Sequence, residues 1–380
     1  MHSNSYFYIN DAREMTLHIF NPEHDIALAN GQRRITPPHA ARQLHADLGF
    51  IPAFWADQGD TVLVDDCQHA TRAYAKVRMM AKRLFGLETH DVTFRELTSL
   101  RDAIPQSIDP WGWDYTLKAI LRQHLPKGVQ LPSDNELNLI RNMSHRSTAL
   151  YLLQALRMEN TIGEMRLAET QDELLGYVAD FQGKAVLKAP WSSSGRGVRF
   201  VDGDIDPHML DWTANVIAKQ GGIMVEPMYN RIIDFGMEFT SLGDGTARYA
   251  GLSIFTTSHG AYSGNIIATE THKREMLARY IDPSLLDAVR TRVCSSDFSC
   301  ITSRHQGAFG IDMMIVGTKT GNGYLLHPCV EINLRRTMGH LALQFTPPDD
   351  DIEGVMQVVY EGKFKLRLKA STQETRQTLI

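Results

Sequence analysis

Two short stretches near the end of the 380-residue chain constrain it most: Gly310 to Val316 (GIDMMIV) and Cys329 to Arg336 (CVEINLRR). Each reads as a strand, and the segment between them turns at Thr318 to Gly323. Asp312 interrupts an otherwise apolar strand, which costs desolvation energy unless the carboxylate is paired or bound to a cation. Strands joined by a short turn pair antiparallel, which lays Asp312 opposite Glu331. Glu331, Asn333 and Arg335 stand two apart and share one face. Asp312, Glu331 and Asn333 thus offer three oxygen ligands with positions left open. Such a set suits Mg²⁺ held between protein and nucleotide phosphates. The Arg335 fork suits a phosphate or a reacting carboxylate. A solvent-facing strand with ordinary charge pairs is the alternative.

Upstream, Lys184 to Lys188 reads as a strand and runs into the loop PWSSSGRGV (Pro190 to Val198). Hydroxyl and glycine residues let backbone N–H groups approach phosphate oxygens, and a nearby ammonium neutralises their charge. No GKS or GKT follows, so this is not a P-loop; a plain hairpin turn explains it equally. Ile223 to Met228 (IMVEPM) is apolar and then acidic. Such a strand end can offer Glu226 and backbone groups to a purine edge, or can be a buried strand with a solvated Glu.

Bulk properties narrow the classes. Apolar content of 43%, charged content of 22% and a net charge of −5 are those of a globular protein without a nucleic-acid or membrane surface. No apolar run approaches the roughly 18 residues of a membrane span. The N-terminus lacks the pattern of a signal peptide, so a cytoplasmic protein is expected. Cys67, Cys294, Cys300 and Cys329 form no CxxC pair and are expected to be reduced, although Cys294 and Cys300 are close enough for a local bridge.

Along the chain, strands at Met15 to Phe20 and Thr61 to Asp65 alternate with helical patterns at Ala70 to Phe85 and Tyr115 to His124. That alternation predicts a small α/β domain with a mostly parallel sheet over residues 1–135. A new unit follows, with Ser144 expected to cap a helix to about Met158 and Thr170 to Glu173 spaced as a capping box. The remainder to Leu343 reads as strands and turns with one helix near Pro283 to Arg292. Residues 346–380 hold the pattern VMQVVYE, then the turn Gly362-Lys363, then FKLRLKA, which predicts a C-terminal hairpin extension.

In this order the pieces resemble the ATP-grasp superfamily of ligases, over roughly residues 140–345. The resemblance implies an α+β fold of two subdomains clasping ATP, preceded by the small Rossmann-like α/β domain. It implies that Arg146 (in MSHRSTALYLL, where Lys is common) and Lys188 bind nucleotide phosphates, with Ser193, Ser194 and Gly195 closing over them. Glu226 and the backbone near Met228 would read adenine, and Asp234 the ribose. Asp312, Glu331 and Asn333 match the family's Mg²⁺ ligands, with Mn²⁺ as a substitute, and Arg335 its catalytic arginine. Leu334 stands where proline is common.

The implied reaction joins a carboxylate to an amine or another nucleophile through an acylphosphate, in a protein that is often a homodimer. A non-catalytic ATP sensor and an ATP-dependent kinase-like member are the alternatives. Three stretches fall outside the family pattern. FNPEHDIALANG places Glu23, His24 and Asp25 after the first strand, where α/β sheets bind ligands, though a helix-capping turn explains them too. A metal-dependent hydrolase built on that trio is a distant further reading. RITPPHAAR reads as a rigid loop at the same edge. FTTSHGAYSGN (Phe255 to Asn265) is expected between strands, as a lid or a polar hairpin carrying His259 and Tyr262. Arg336 joins these as a candidate substrate contact.

Overall fold

The structure is a computed structural model that describes residues 15–192, 197–258, 261–318, 321 and 323–371. Ser193, Ser194, Gly195 and His259, named above as candidates, lie outside the described residues.

The first unit comprises β1 (Thr16–Ile19), α1 (His24–Asn30), α2 (His39–Leu48), β2 (Thr61–Leu63), α3 (Cys67–Phe85), β3 (Thr93–Arg95), β4 (Ser107–Pro110) and α4 (Tyr115–His124). Its four strands pair in parallel in the order β3-β2-β1-β4. α3 shows why the chain folds this way. Asp66 caps it by accepting from the His69 N–H, and Gly86 ends it in the left-handed region at φ 70°. Ala70, Tyr74, Val77, Ala81 and Phe85 recur at helical spacing and are buried. The chain leaves β1 and β4 at their carboxyl ends, which places Asn21 to Asp25 beside Trp111 to Asp114.

Two helices, α5 (Asp134–Met143) and α6 (Ser147–Leu156), lead to the second sheet. The helix expected behind a cap at Ser144 starts two residues later, with its cap at Arg146. Ser144 instead closes α5, donating its hydroxyl to the Ile140 carbonyl at 2.8 Å, and Arg146 stands at the start of α6. β5 (Arg166–Ala168), α7 (Gln171–Asp180), β6 (Lys184–Lys188), β7 (Val198–Asp202), α8 (Pro207–Gln220) and β8 (Ile223–Pro227) follow. They form an antiparallel sheet in the order β5-β8-β6-β7. The Thr170 capping box is present. β6 and β7 pair antiparallel across the PWSSSGRGV segment.

The large sheet is built from β9 (Asn230–Leu242), β10 (Ala247–Ser258), β11 (Ala261–Ile267), β12 (Gln306–Gly317), β13 (Tyr324–Asn333), β14 (Gly354–Tyr360) and β15 (Phe364–Ala370). Its order is β13-β12-β9-β10-β11-β14-β15, all antiparallel. Between these strands lie α9 (Glu270–Ala278), α10 (Pro283–Cys294), the short α11 (Ser299–Thr302) and α12 (Met338–Leu343). The expectation of a single helix after residue 198 is therefore wrong: α8 and α9 are full helices. Each is capped by a side chain, Asp206 and Thr269, that receives a backbone N–H. FTTSHGAYSGN runs mostly within β10 and β11, which pair with a bulge at Thr256/Thr257. Phe235, Met237, Phe239, Ile311, Met313 and Ile315 are buried in the main core with residues of α6 and α10. The C-terminal hairpin extends this sheet and meets the first unit, where Asp47 accepts the Phe364 N–H at 2.8 Å. The four cysteines are free thiols, and no helix among the described residues is long and apolar enough to cross a membrane.

Candidate active site

Register across the large sheet builds the site. Asp312 pairs with Glu331 on one side and with Gly236 on the other. In the next row Gly310 stands between Asn333 and Glu238, and in the row before it Met314 stands between His327 and Asp234. Residues two apart share a face, so Asp312, Glu331, Asn333, Asp234 and Glu238 belong to one surface. The pairing of Asp312 with Glu331 is the one expected from the sequence. The Asn333 amide donates to Asp312 Oδ2 at 3.2 Å. Burial, then the charges of Glu331 and Glu238, push the Asp312 carboxyl up to about 8. Among the described residues no group of three or more His, Cys, Asp or Glu converges. The oxygen set here is two carboxylates and an amide, which fits a hard divalent cation that also takes oxygens from a ligand.

Four cations surround this row, and each is paired. Arg146 Nη2 donates to both oxygens of Glu331 at 2.9 Å. Its Nη1 donates to the Ala189 carbonyl at 2.6 Å and to Ser192 Oγ at 2.5 Å. Across on the smaller sheet, Lys188 Nζ donates to Glu226 Oε2 at 2.6 Å, with both side chains buried. Burial outweighs the lysine and leaves the Glu226 carboxyl above its ordinary range. Arg335 donates to Asp25 from Nε at 3.0 and 3.1 Å and from Nη2 at 2.8 Å. Burial would raise Asp25, but the charge and hydrogen bonds of Arg335 hold it below the usual carboxylate range. Arg336 donates to Asp109 Oδ2 at 2.7 Å and lies 4.7 Å over the Trp55 ring.

A cleft opens between these groups. His24, Asp25, Ser144, Trp191, Ser192, Glu331, Asn333 and Arg335 line it, so the first parallel unit, the loop after β6 and the end of β13 meet there. His24 is fixed behind it: its Nδ1 lies 3.3 Å from Asp114 Oδ2, and Asp114 caps α4 through the Leu117 N–H. Asn21 holds the same carboxylate at 3.2 Å and the Gly112 carbonyl at 2.8 Å. A Cβ at Gly112 would stand 2.6 Å from the His24 ring, so only glycine lets the imidazole lie flat here.

The remaining candidates are placed as follows. Glu23 lies 3.2 Å from His45 Nδ1, at the rim of α1 rather than in the cleft. The Met228 N–H is taken by the Lys184 carbonyl at 3.0 Å. Asp234 pairs with Arg231 at 2.9 Å, and burial raises its carboxyl. Tyr262 donates to Asn265 Oδ1 at 2.6 Å within the β10–β11 hairpin, away from the residues that line the cleft. Asp114, Asn21, Gly112, Ser192 and Trp191 are site residues that the sequence reading did not assign. DPWGWD, with two tryptophans around a glycine and an acid, was the available signal.

No model of a known protein family matches the chain, and no curated protein matches it. Solved structures similar to it include synthetases and carboxylases, several holding ADP or ATP. One is N5-carboxyaminoimidazole synthetase from Staphylococcus aureus complexed with ADP, at 11% identity over 91% of this chain and 82% of that one, TM-score 0.46. Another is the biotin carboxylase–β-γ-ATP complex from Campylobacter jejuni, at 13% identity over 91% and 75%, TM-score 0.49. A third is the biotin carboxylase domain dimer of Hydrogenobacter thermophilus 2-oxoglutarate carboxylase with MgADP, ADP and bicarbonate, at 12% identity over 91% and 74%, TM-score 0.48.

Proposed function

We propose that this chain is an ATP- and Mg²⁺-dependent ligase of the ATP-grasp type, joining a carboxylate to an amine through an acylphosphate. The observation that carries this is the row Asp312–Glu331–Asn333 on the large sheet, flanked by Arg146 and Arg335 and faced by Lys188 from the smaller sheet. Arginine and lysine side chains gathered with two carboxylates and an amide suit a polyphosphate that arrives with a divalent cation. Residues 1–135 are read as the domain that shapes the acceptor side, 140–345 as the nucleotide-clasping part, and 346–380 as an extension. The compartment is read as cytoplasmic and the assembly as a homodimer.

The chemistry follows from these side chains. Arg146 and Lys188 neutralise the polyphosphate and hold it in line. Asp312, Glu331 and Asn333 would hold Mg²⁺, which would add charge neutralisation at the phosphoryl oxygens. A substrate carboxylate oxygen attacks the γ-phosphorus, the bond to the β–γ bridging oxygen breaks, and ADP leaves. Arg335 stabilises charge on the transferred phosphoryl group and then on the acylphosphate. An amine attacks the acyl carbon, phosphate departs, and the amine proton passes to solvent. His24 and Asp25 stand on the side from which the acceptor approaches. Glu226 and Met228 with Asp234 would contact base and ribose, Glu226 doing so while bonded to Lys188.

The test is thermal unfolding of the wild type and Lys188→Ala with ATP, with and without Mg²⁺. A ligand at about 100 times its dissociation constant adds about 2.7 kcal/mol, which appears as a shift of several degrees. A Mg²⁺-dependent shift lost in Lys188→Ala is expected, each protein being read against its own ligand-free melt. No shift in the wild type would refute the nucleotide site.

A further inference from the structure

In the reading above Arg146 serves phosphates and Glu331 serves the cation, yet in the structure the two are bonded to each other. Both Arg146–Glu331 contacts are 2.9 Å, the other Arg146 nitrogen is held by Ala189 and Ser192, and only 8% of Arg146 is exposed. Each ligand arriving alone must therefore uncover a charge. Free nucleotide that draws Arg146 away leaves Glu331 without its bidentate partner, and Arg335, the other cation that acts on it, is already held by Asp25. A free cation that takes Glu331 leaves a buried guanidinium without its carboxylate. Arg146 is the buried member and Glu331 the partly exposed one, so the larger penalty falls on stranding the guanidinium. When both arrive, the cation takes Glu331, the phosphates take Arg146, and no charge is stranded.

We propose that the Arg146–Glu331 pair is a specificity element: it makes this site take a nucleoside triphosphate and a divalent cation together and reject the free nucleotide. The arginine matters because its planar fork holds both carboxylate oxygens, where a lysine would hold one and swing free. The inference rests on the ATP reading of the site.

Isothermal calorimetry with ATP, in EDTA and in Mg²⁺, tests it on the wild type, Glu331→Gln, Arg146→Met and the double variant. The wild type is expected to bind ATP in Mg²⁺ and at least tenfold more weakly in EDTA. In EDTA, Glu331→Gln is expected to bind ATP at least tenfold more tightly than the wild type, because Arg146 is released. That gain must vanish in the Arg146→Met background. A gain that persists without Arg146 would be plain removal of negative charge and would overturn the proposal. So would equal affinities of wild type and Glu331→Gln in EDTA. Should Glu331→Gln fail to fold, Arg146→Lys gives the same reading: a smaller ratio between Mg²⁺ and EDTA affinities with Mg²⁺–ATP binding kept is expected, and an unchanged ratio overturns the proposal. A wild type that binds ATP in neither condition would instead overturn the ATP reading and this inference with it.

Discussion

His327 shows how much a single side chain on the large sheet can differ from its neighbours. It is fully buried, stacked edge-on at 5.7 Å from Tyr229, and neither ring nitrogen meets a partner. Burial, then the charge of Lys188, pull its pKa down to about 3, so the ring is neutral. Unpaired buried polar atoms cost about 1–3 kcal/mol, whereas an apolar group of similar volume has no such cost. His327→Leu is therefore expected to stabilise the ligand-free protein by about 1–2 kcal/mol, read as a higher urea midpoint. A loss of similar size would show that the ring is satisfied by water. At this scale the sequence was legible where chemistry is local. Asp312 and Glu331 declare themselves because each is a carboxylate in an apolar strand. The partners of the cations were not legible: Arg335 finds Asp25 at a separation of 310 residues, and Arg146 finds Glu331 at 185. No local pattern encodes those distances.

Elements were legible where their ends are marked and the rest is periodic. Thr170 and Glu173 satisfy each other's backbone N–H groups at the start of α7. Thr170→Ala should cost about 1 kcal/mol in denaturant unfolding, and an unchanged midpoint would mean the cap is replaced by solvent. α8 carried marks as clear, with Asp206 and Pro207 at its start and Gly221 in the left-handed region at its end. Its mixed surface, with only Thr213 and Val216 fully buried, hid the helical period. β6 and β8 pose a different question, because their pairing sets Lys188 against Glu226 in a place closed to water. Lys188→Ala leaves that carboxylate alone, and breaking a buried pair from one side costs about 3–5 kcal/mol. The double variant Lys188→Ala/Glu226→Gln should recover much of that loss, measured by chemical denaturation at neutral pH. If the double variant is no more stable than the single one, the cost lies in lost packing rather than in the stranded charge.

For the whole molecule, the residues after β13 form a charged joint between the first unit and the rest, beside the apolar contacts of the C-terminal hairpin. Arg335 grips Asp25, and Arg336 reaches Asp109, whose carboxylate also meets His18 Nδ1 at 2.9 Å, while His18 Nε2 meets Asp60 at 3.0 Å. This chain runs from the large sheet into β4 and β1 of the parallel sheet. Burial pulls the His18 pKa down, but the hydrogen bonds and charges of Asp109 and Asp60 outweigh it and raise the group above its usual 6.5. Asp109 is held at about 2, where burial is outweighed by Arg336 and His18. The signs fix the pH dependence. A raised histidine takes up its proton more readily when folded, so its stabilisation is complete below pH of about 6.5 and fades as pH rises through the folded value. A depressed aspartate stabilises above its unfolded pKa of about 3.9 and fails only as pH falls toward 2. Between pH 5.5 and 8.5, then, Asp109 contributes a constant and His18 carries the slope. The stability difference between the wild type and His18→Asn should be largest near pH 5.5 and shrink toward pH 8.5, measured by urea unfolding across that range. A difference that grows with pH would mean that His18 is neutral in the folded protein.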